Sequence, residues 1–175
     1  MECEEKLIKG RKITGLPVIA SDNGELLGYV RELLYAESGR EVRGILLEEG
    51  TWLKGARLIL WENLVSLNSQ GILVPGRTAV LYSSDQDHLN ALCNNRTGLC
   101  GTWLTSSAGE ELGTVEDIVL EPLTGKVTGY ELSQGITEDL LEGRKEIVLP
   151  ENLTPVDGKL MIPGEQVQII QPETG

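Results

Sequence analysis

Gly24-Glu25-Leu26-Leu27-Gly28-Tyr29-Val30-Arg31-Glu32-Leu33-Leu34-Tyr35 returns 85 positions later as Gly109-Glu110-Glu111-Leu112-Gly113-Thr114-Val115-Glu116-Asp117-Ile118-Val119-Leu120. Val42-Arg43-Gly44 matches Val127-Thr128-Gly129 at the same offset, and Gly50 matches Gly135. Further on, Glu62-Asn63-Leu64 matches Glu151-Asn152-Leu153 at an offset of 89, and Val74-Pro75-Gly76 matches Ile162-Pro163-Gly164 at an offset of 88. Small indels in the intervening loops account for the drift. A long period present only twice describes two tandem domains rather than a solenoid. What recurs is glycine and apolar spacing, so the repeat reports a fold and names no reaction.

Within each copy the pattern is that of strands. Short apolar clusters are cut by glycine and by Asn, Asp or Ser, as in Ser21-Asp22-Asn23-Gly24 and Asn68-Ser69-Gln70-Gly71. Many short strands with frequent turns predict an all-β fold of small barrels. In the first copy strands are expected at 17–20, 27–36, 42–48, 58–61 and 72–74, and in the second at 103–106, 112–120, 127–133, 146–149 and 160–162. In the long strand the apolar residues step from Val30 to Leu33 to Tyr35, and from Val115 to Ile118 to Leu120. One interval of three where a flat strand gives two predicts a β-bulge near Arg31-Glu32 and Glu116-Asp117, which bends the strand as barrel closure requires.

The organisation expected is a first barrel over 9–80, a linker over 81–99 and a second barrel over 100–171. In the linker, Leu89, Leu92 and Cys93 share one helical face behind a capping Ser or Asp, which predicts a short connecting helix. The chain has 175 residues, 40% of them hydrophobic, and each half is large enough to hold one core.

Charge narrows the partners. Fifteen basic against 27 acidic residues leave a formal net charge of −12, a surface that repels phosphate backbones and anionic lipid. Direct nucleic-acid binding is therefore not expected. No stretch approaches the roughly 18 apolar residues needed to cross a bilayer, and Met1-Glu2-Cys3-Glu4-Glu5 does not read as a secretory signal, so a cytoplasmic chain is expected.

The candidates for chemistry are weak. Cys3, Cys93 and Cys100 follow no metal spacing, although Cys93 and Cys100 could close a small disulfide loop; free thiols are the default in a reducing compartment. His88 is the only histidine, which removes most acid–base and metal schemes that need two. No Gly-x-Ser-x-Gly and no phosphate-loop pattern occurs. Gly24 to Gly28 and Gly109 to Gly113 enclose glutamates, so they read as turns with glycine at positive φ. The pairs Glu48-Glu49, Glu110-Glu111 and Glu138-Asp139 read as solvated faces. No catalytic residue, cofactor or metal is expected, and the protein is expected not to be an enzyme.

Two loops differ most between the copies. Thr51-Trp52-Leu53-Lys54 gives way to the longer Ile136-Thr137-Glu138-Asp139-Leu140-Leu141-Glu142. Trp52, Leu53, Ile136, Leu140 and Leu141 put large apolar groups where a loop tip should be polar, which marks them as interaction candidates. The alternatives stay open that Trp52 and Leu140 fold back over their own barrel or that the barrels pack together through these loops. Homodimerisation through a barrel edge or the loops also stays open.

Leu16-Pro17-Val18 with Gly24 through Val30, and Gly55-Ala56-Arg57-Leu58-Ile59-Leu60-Trp61-Glu62-Asn63-Leu64, resemble a PRC-barrel domain, the β-barrel named after the cytoplasmic domain of the photosynthetic reaction centre H subunit. In the second copy the resemblance rests on Gly109 through Asp117, on Pro122-Leu123-Thr124-Gly125-Lys126-Val127, and on Val148-Leu149-Pro150-Glu151-Asn152-Leu153. It implies two tandem PRC-like barrels in an assembly role: the H subunit steadies a membrane complex, and a ribosome maturation factor uses the same barrel to engage a ribosomal protein. This sequence carries neither the membrane helix of the first nor the N-terminal domain of the second, so neither specific function carries over. The expectation is a non-enzymatic protein-binding or scaffolding protein with an unknown protein partner. Its alternatives are a ribosome-assembly adaptor engaging a basic ribosomal protein, and a small-ligand binder or hydrolytic enzyme using an inter-barrel cleft.

Overall fold

A computed structural model describes residues 7–36, 38–48, 56–82, 100–135, 144–149, 161–162 and 168–170. The chain divides into two compact units at about its midpoint, with the turn Glu121–Lys126 grouped with the first unit.

In the first unit, β1 (Ile8–Lys9) and a 3-10 turn at Gly10–Lys12 precede β2 (Pro17–Ala20), β3 (Leu26–Tyr35), β4 (Val42–Leu47) and β5 (Arg57–Leu60). They are followed by β6 (Ser66–Asn68), β7 (Gly71–Val74) and β8 (Leu81–Tyr82). The strands run β6-β7-β2-β3-β4-β5-β8, antiparallel except for the parallel pair β2–β7. The curled sheet closes over Ile13, Val18, Val30, Ile45, Leu47, Ile59, Ile72 and Val74, each fully buried. Their burial follows from alternation: in β4, Ile45 and Leu47 fall on one side of the strand and Leu46 on the other.

The second unit repeats this plan. Here β9 (Trp103–Ser106), β10 (Glu111–Leu120), β11 (Val127–Ser133), β12 (Lys145–Val148), β13 (Met161–Ile162) and β14 (Gln168–Ile170) run β13-β9-β10-β11-β12-β14, and β9–β13 is the parallel pair. Leu104, Val115, Ile118, Leu120, Tyr130 and Ile162 fill the interior with no exposure.

Both expected bulges are present. The register between β3 and β4 jumps from Val30–Leu47 to Glu32–Leu46, with Arg31 as the extra residue of the bulge. Between β10 and β11 it jumps from Val115–Leu132 to Asp117–Glu131, with Glu116 as the extra residue. Val30 and Leu33 therefore both face inward, as do Val115, Ile118 and Leu120. A second irregularity follows in each unit, where Leu34–Gly44 is succeeded by Tyr35–Val42 and Val119–Gly129 by Leu120–Val127. The turn glycines also behave as expected, with φ of 73° at Gly24 and 83° at Gly109. Their loops are closed by short side chains: Asn23 Oδ1 accepts from the Glu25 N–H in the first, and Ser106 Oγ from the Ala108 and Glu110 N–H groups in the second.

Among the described residues four strands lie outside the expected set: β1, β6, β8 and β14. Leu81 and Tyr82, assigned from sequence to the linker, form β8 antiparallel to Arg57–Leu58 and so belong to the first sheet. The remaining linker residues, 83–99, with the expected helix, lie outside the described residues.

Candidate interaction surfaces

Trp52, Leu53, Ile136, Leu140 and Leu141 lie outside the described residues, but the strands that launch their loops are well defined. In the first unit the loop leaves β4 at Glu48, whose N–H donates to the Tyr29 carbonyl at 2.9 Å. It re-enters at Arg57, whose guanidinium donates to the Leu27 carbonyl at 2.8 Å and the Glu48 carbonyl at 2.7 Å. Arg57 thus ties the start of β3 and the exit of β4 to β5. Gly28 leaves room for this side chain, since a Cβ there would sit 3.2 Å from Nη2. In the second unit the loop leaves β11 after Ser133, whose hydroxyl accepts from the Gly135 N–H at 3.2 Å, and re-enters beside Arg144, which pairs with Glu131 at 3.1 Å. The two loops leave from equivalent ends of equivalent strands.

The copies share the apolar character of their inward positions and differ on the other side of the sheet. Across β3, β4 and β5 the cross-strand row is Glu32, Leu46 and Leu58; across β10, β11 and β12 the equivalent row is Asp117, Glu131 and Glu146. In the first unit Leu34, Leu46 and Leu58 form a buried apolar cluster with Ala56 and Leu60 packed against it. In the second, Glu131 occupies the Leu46 position at 2% exposure and Asp117 is also buried. Burying a carboxylate requires charge or hydrogen-bond compensation. Arg144 supplies part of it to Glu131, and Asp117 Oδ1 accepts from the Ile118 N–H at 2.8 Å. The sequence reading missed this row because it tracked the positions where the repeats agree; subtracting one copy from the other would have found it.

Another outward pair carries an exposed aromatic in each unit: Pro17 opposite Tyr29, and Trp103 opposite Thr114. Hydrogen bonding to Arg77 is the chief influence holding the Glu25 carboxyl below its ordinary value, in an exposed pair. Cys100 is exposed as a residue, yet its thiol is pushed above its ordinary value, first by loss of water around the sulfur and then by the charges of Asp117 and Glu116. Such a thiol holds less thiolate at neutral pH and alkylates slowly. With Cys3 and Cys93 replaced by serine, Glu116→Gln is expected to move the pH profile of Cys100 alkylation to lower pH; an unmoved profile would remove Glu116 as a cause. Among the described residues no group of three or more His, Cys, Asp or Glu could hold a metal ion, and no helix is long and apolar enough to cross a membrane. His88 and Cys93 lie outside the described residues.

Two curled β-sheets of one plan, with their glycines and bulges in register and their outward faces free to differ, define a tandem β-barrel protein. The PRC-barrel domain family matches residues 5–86 and 99–168, and the chain belongs to that family through both barrels. No curated protein matches it.

Proposed function

We propose that this chain is a non-enzymatic adaptor that binds another protein through the outward surfaces and loops of its two barrels. The observation that carries this reading is where the copies differ. Their interiors stay apolar, while at exposed strand positions Leu26 is exchanged for Glu111 and Arg31 for Glu116, and in the loops between matching strands Trp52-Leu53 gives way to Ile136, Leu140 and Leu141. Two barrels under the same packing demand but presenting different chemistry are suited to contacting different features of a partner. Exposed aromatic groups such as an indole are among the side chains that dominate contact energy in such interfaces.

The test is affinity capture of the tagged full chain from lysate of its own organism after nuclease treatment, beside a Trp52→Ser/Leu140→Ser variant. A stoichiometric protein partner that is lost or much reduced in the variant is expected. A clean bait in both samples overturns the adaptor reading.

A further inference from the structure

The net charge of −12 is not shared between the barrels. Residues 1–82 hold 11 acidic and 10 basic residues, whereas residues 100–175 hold 14 acidic and 4 basic. The second half therefore carries nearly all of the chain's negative field.

On its outward side stands Trp103, 59% exposed, at the start of β9 and paired with β10 rather than in a loop. Its cross-strand partner is Thr114. One step along, Thr105 faces Glu111 on one side and Met161 on the other. Two residues beyond Thr114 the bulge presents Glu116, also exposed. Strand alternation sets Trp103, Thr105, Glu111 and Thr114 on one face, and diagonal neighbours in an antiparallel pair lie within reach of an aromatic side chain. The indole is thus bracketed by two exposed carboxylates.

The first barrel supplies the contrast at matching positions. There Tyr29 stands opposite Pro17, Leu26 replaces Glu111, and Arg31 is the bulge residue in place of Glu116. The same backbone presents an aromatic with a cation beside it in one barrel and an aromatic between anions in the other.

We propose that the Trp103 face of β9–β10 docks an extended, lysine- or arginine-bearing segment of a protein partner. This deepens the adaptor reading and rests on it. A guanidinium or ammonium stacks on the indole while its neighbours along the segment meet Glu111 and Glu116. Exposed ion pairs are individually weak, so the aromatic contact supplies the anchor and the carboxylates the register and salt dependence.

The experiment is calorimetric titration of the full-length protein with an end-blocked octapeptide alternating arginine and serine, and with its glutamate–serine counterpart as control. Binding of the basic peptide that weakens with salt, falls roughly tenfold in Trp103→Ala and in Glu111→Gln/Glu116→Gln, and is unchanged in Tyr29→Ala is the expected result. The altered side chains are exposed, so unchanged melting temperatures accompany it. Equal binding by wild type and both second-barrel variants would assign the attraction to diffuse charge and overturn the proposal, as would wild-type binding no tighter than to the control peptide. Either failure leaves the adaptor reading to stand or fall on the capture experiment, which uses the loop variant and not this face.

Discussion

Gly44→Ala is expected to destabilise the first barrel by about 2–4 kcal/mol, although alanine adds one methyl group to a strand. A Cβ at Gly44 would lie 2.6 Å from the Ile59 carbonyl oxygen. The obstruction is backbone, so no rotamer change relieves it, and β5 would have to retreat from β4. That strand is held on its other edge by β8 and contributes the buried Leu58 and Ile59, so a shift there propagates into the sheet and the core. Gly129→Ala should behave alike in the second barrel, where the oxygen of Ile147 stands at 2.6 Å. Gly24→Ala is the control. Open space surrounds that position, and only the φ of 73° opposes a side chain, a cost of about 1 kcal/mol. Chemical denaturation followed by circular dichroism separates the cases. A Gly44→Ala protein as stable as Gly24→Ala would show that β4 and β5 do not approach so closely.

The second large effect concerns Glu131. Removing one partner of a buried pair leaves charge in a poor dielectric, whereas replacing the charged member by an apolar group of similar volume is often neutral or stabilising. Arg144→Ala is therefore expected to cost about 2 kcal/mol, below the full value for a buried pair because the Arg144 side chain is itself 43% exposed. Glu131→Leu is expected to leave stability within about 1 kcal/mol of wild type or to raise it. The repeat makes this specific, since the first barrel already places Leu46 at that point of the fold. The substitution also removes the middle of three acids aligned across β10, β11 and β12, where like charges directly opposite are unfavourable. Denaturation midpoints of the two variants decide the matter. If Glu131→Leu proves the more damaging, the carboxylate makes stabilising contacts that outweigh its burial.

These cases mark the boundary between what a linear pattern contains and what strand pairing adds. β2, β9 and β11 have the expected limits, β4, β7 and β10 differ by one residue at one end, and β3, β5 and β12 by one residue at each end, because an alternating apolar strand between glycine turns is local information. The first bulge was legible for the same reason: an apolar step of three between Val30 and Leu33, and between Val115 and Ile118, fits one turn of helix or a bulged strand, and the β-branched Val115, Ile118 and Val119 favour the strand. β8 was not legible. Leu81 and Tyr82 are half exposed and show no alternation; they are a strand only because Arg57 and Leu58 offer an edge.

For the candidate surfaces, the sequence alone marked the apolar loops, since Trp52 and Leu140 stand out wherever glycines surround them. The alignment of Asp117 with Glu131 and Glu146, and the bracketing of Trp103 by Glu111 and Glu116, joins residues from separate strands whose proximity depends on register and on which residue each bulge leaves out. Periodicity along one strand determines which side chains share a face. Neighbours across strands exist only once the chain has closed its barrels, and it was closure that turned one repeated pattern into two surfaces of opposite character.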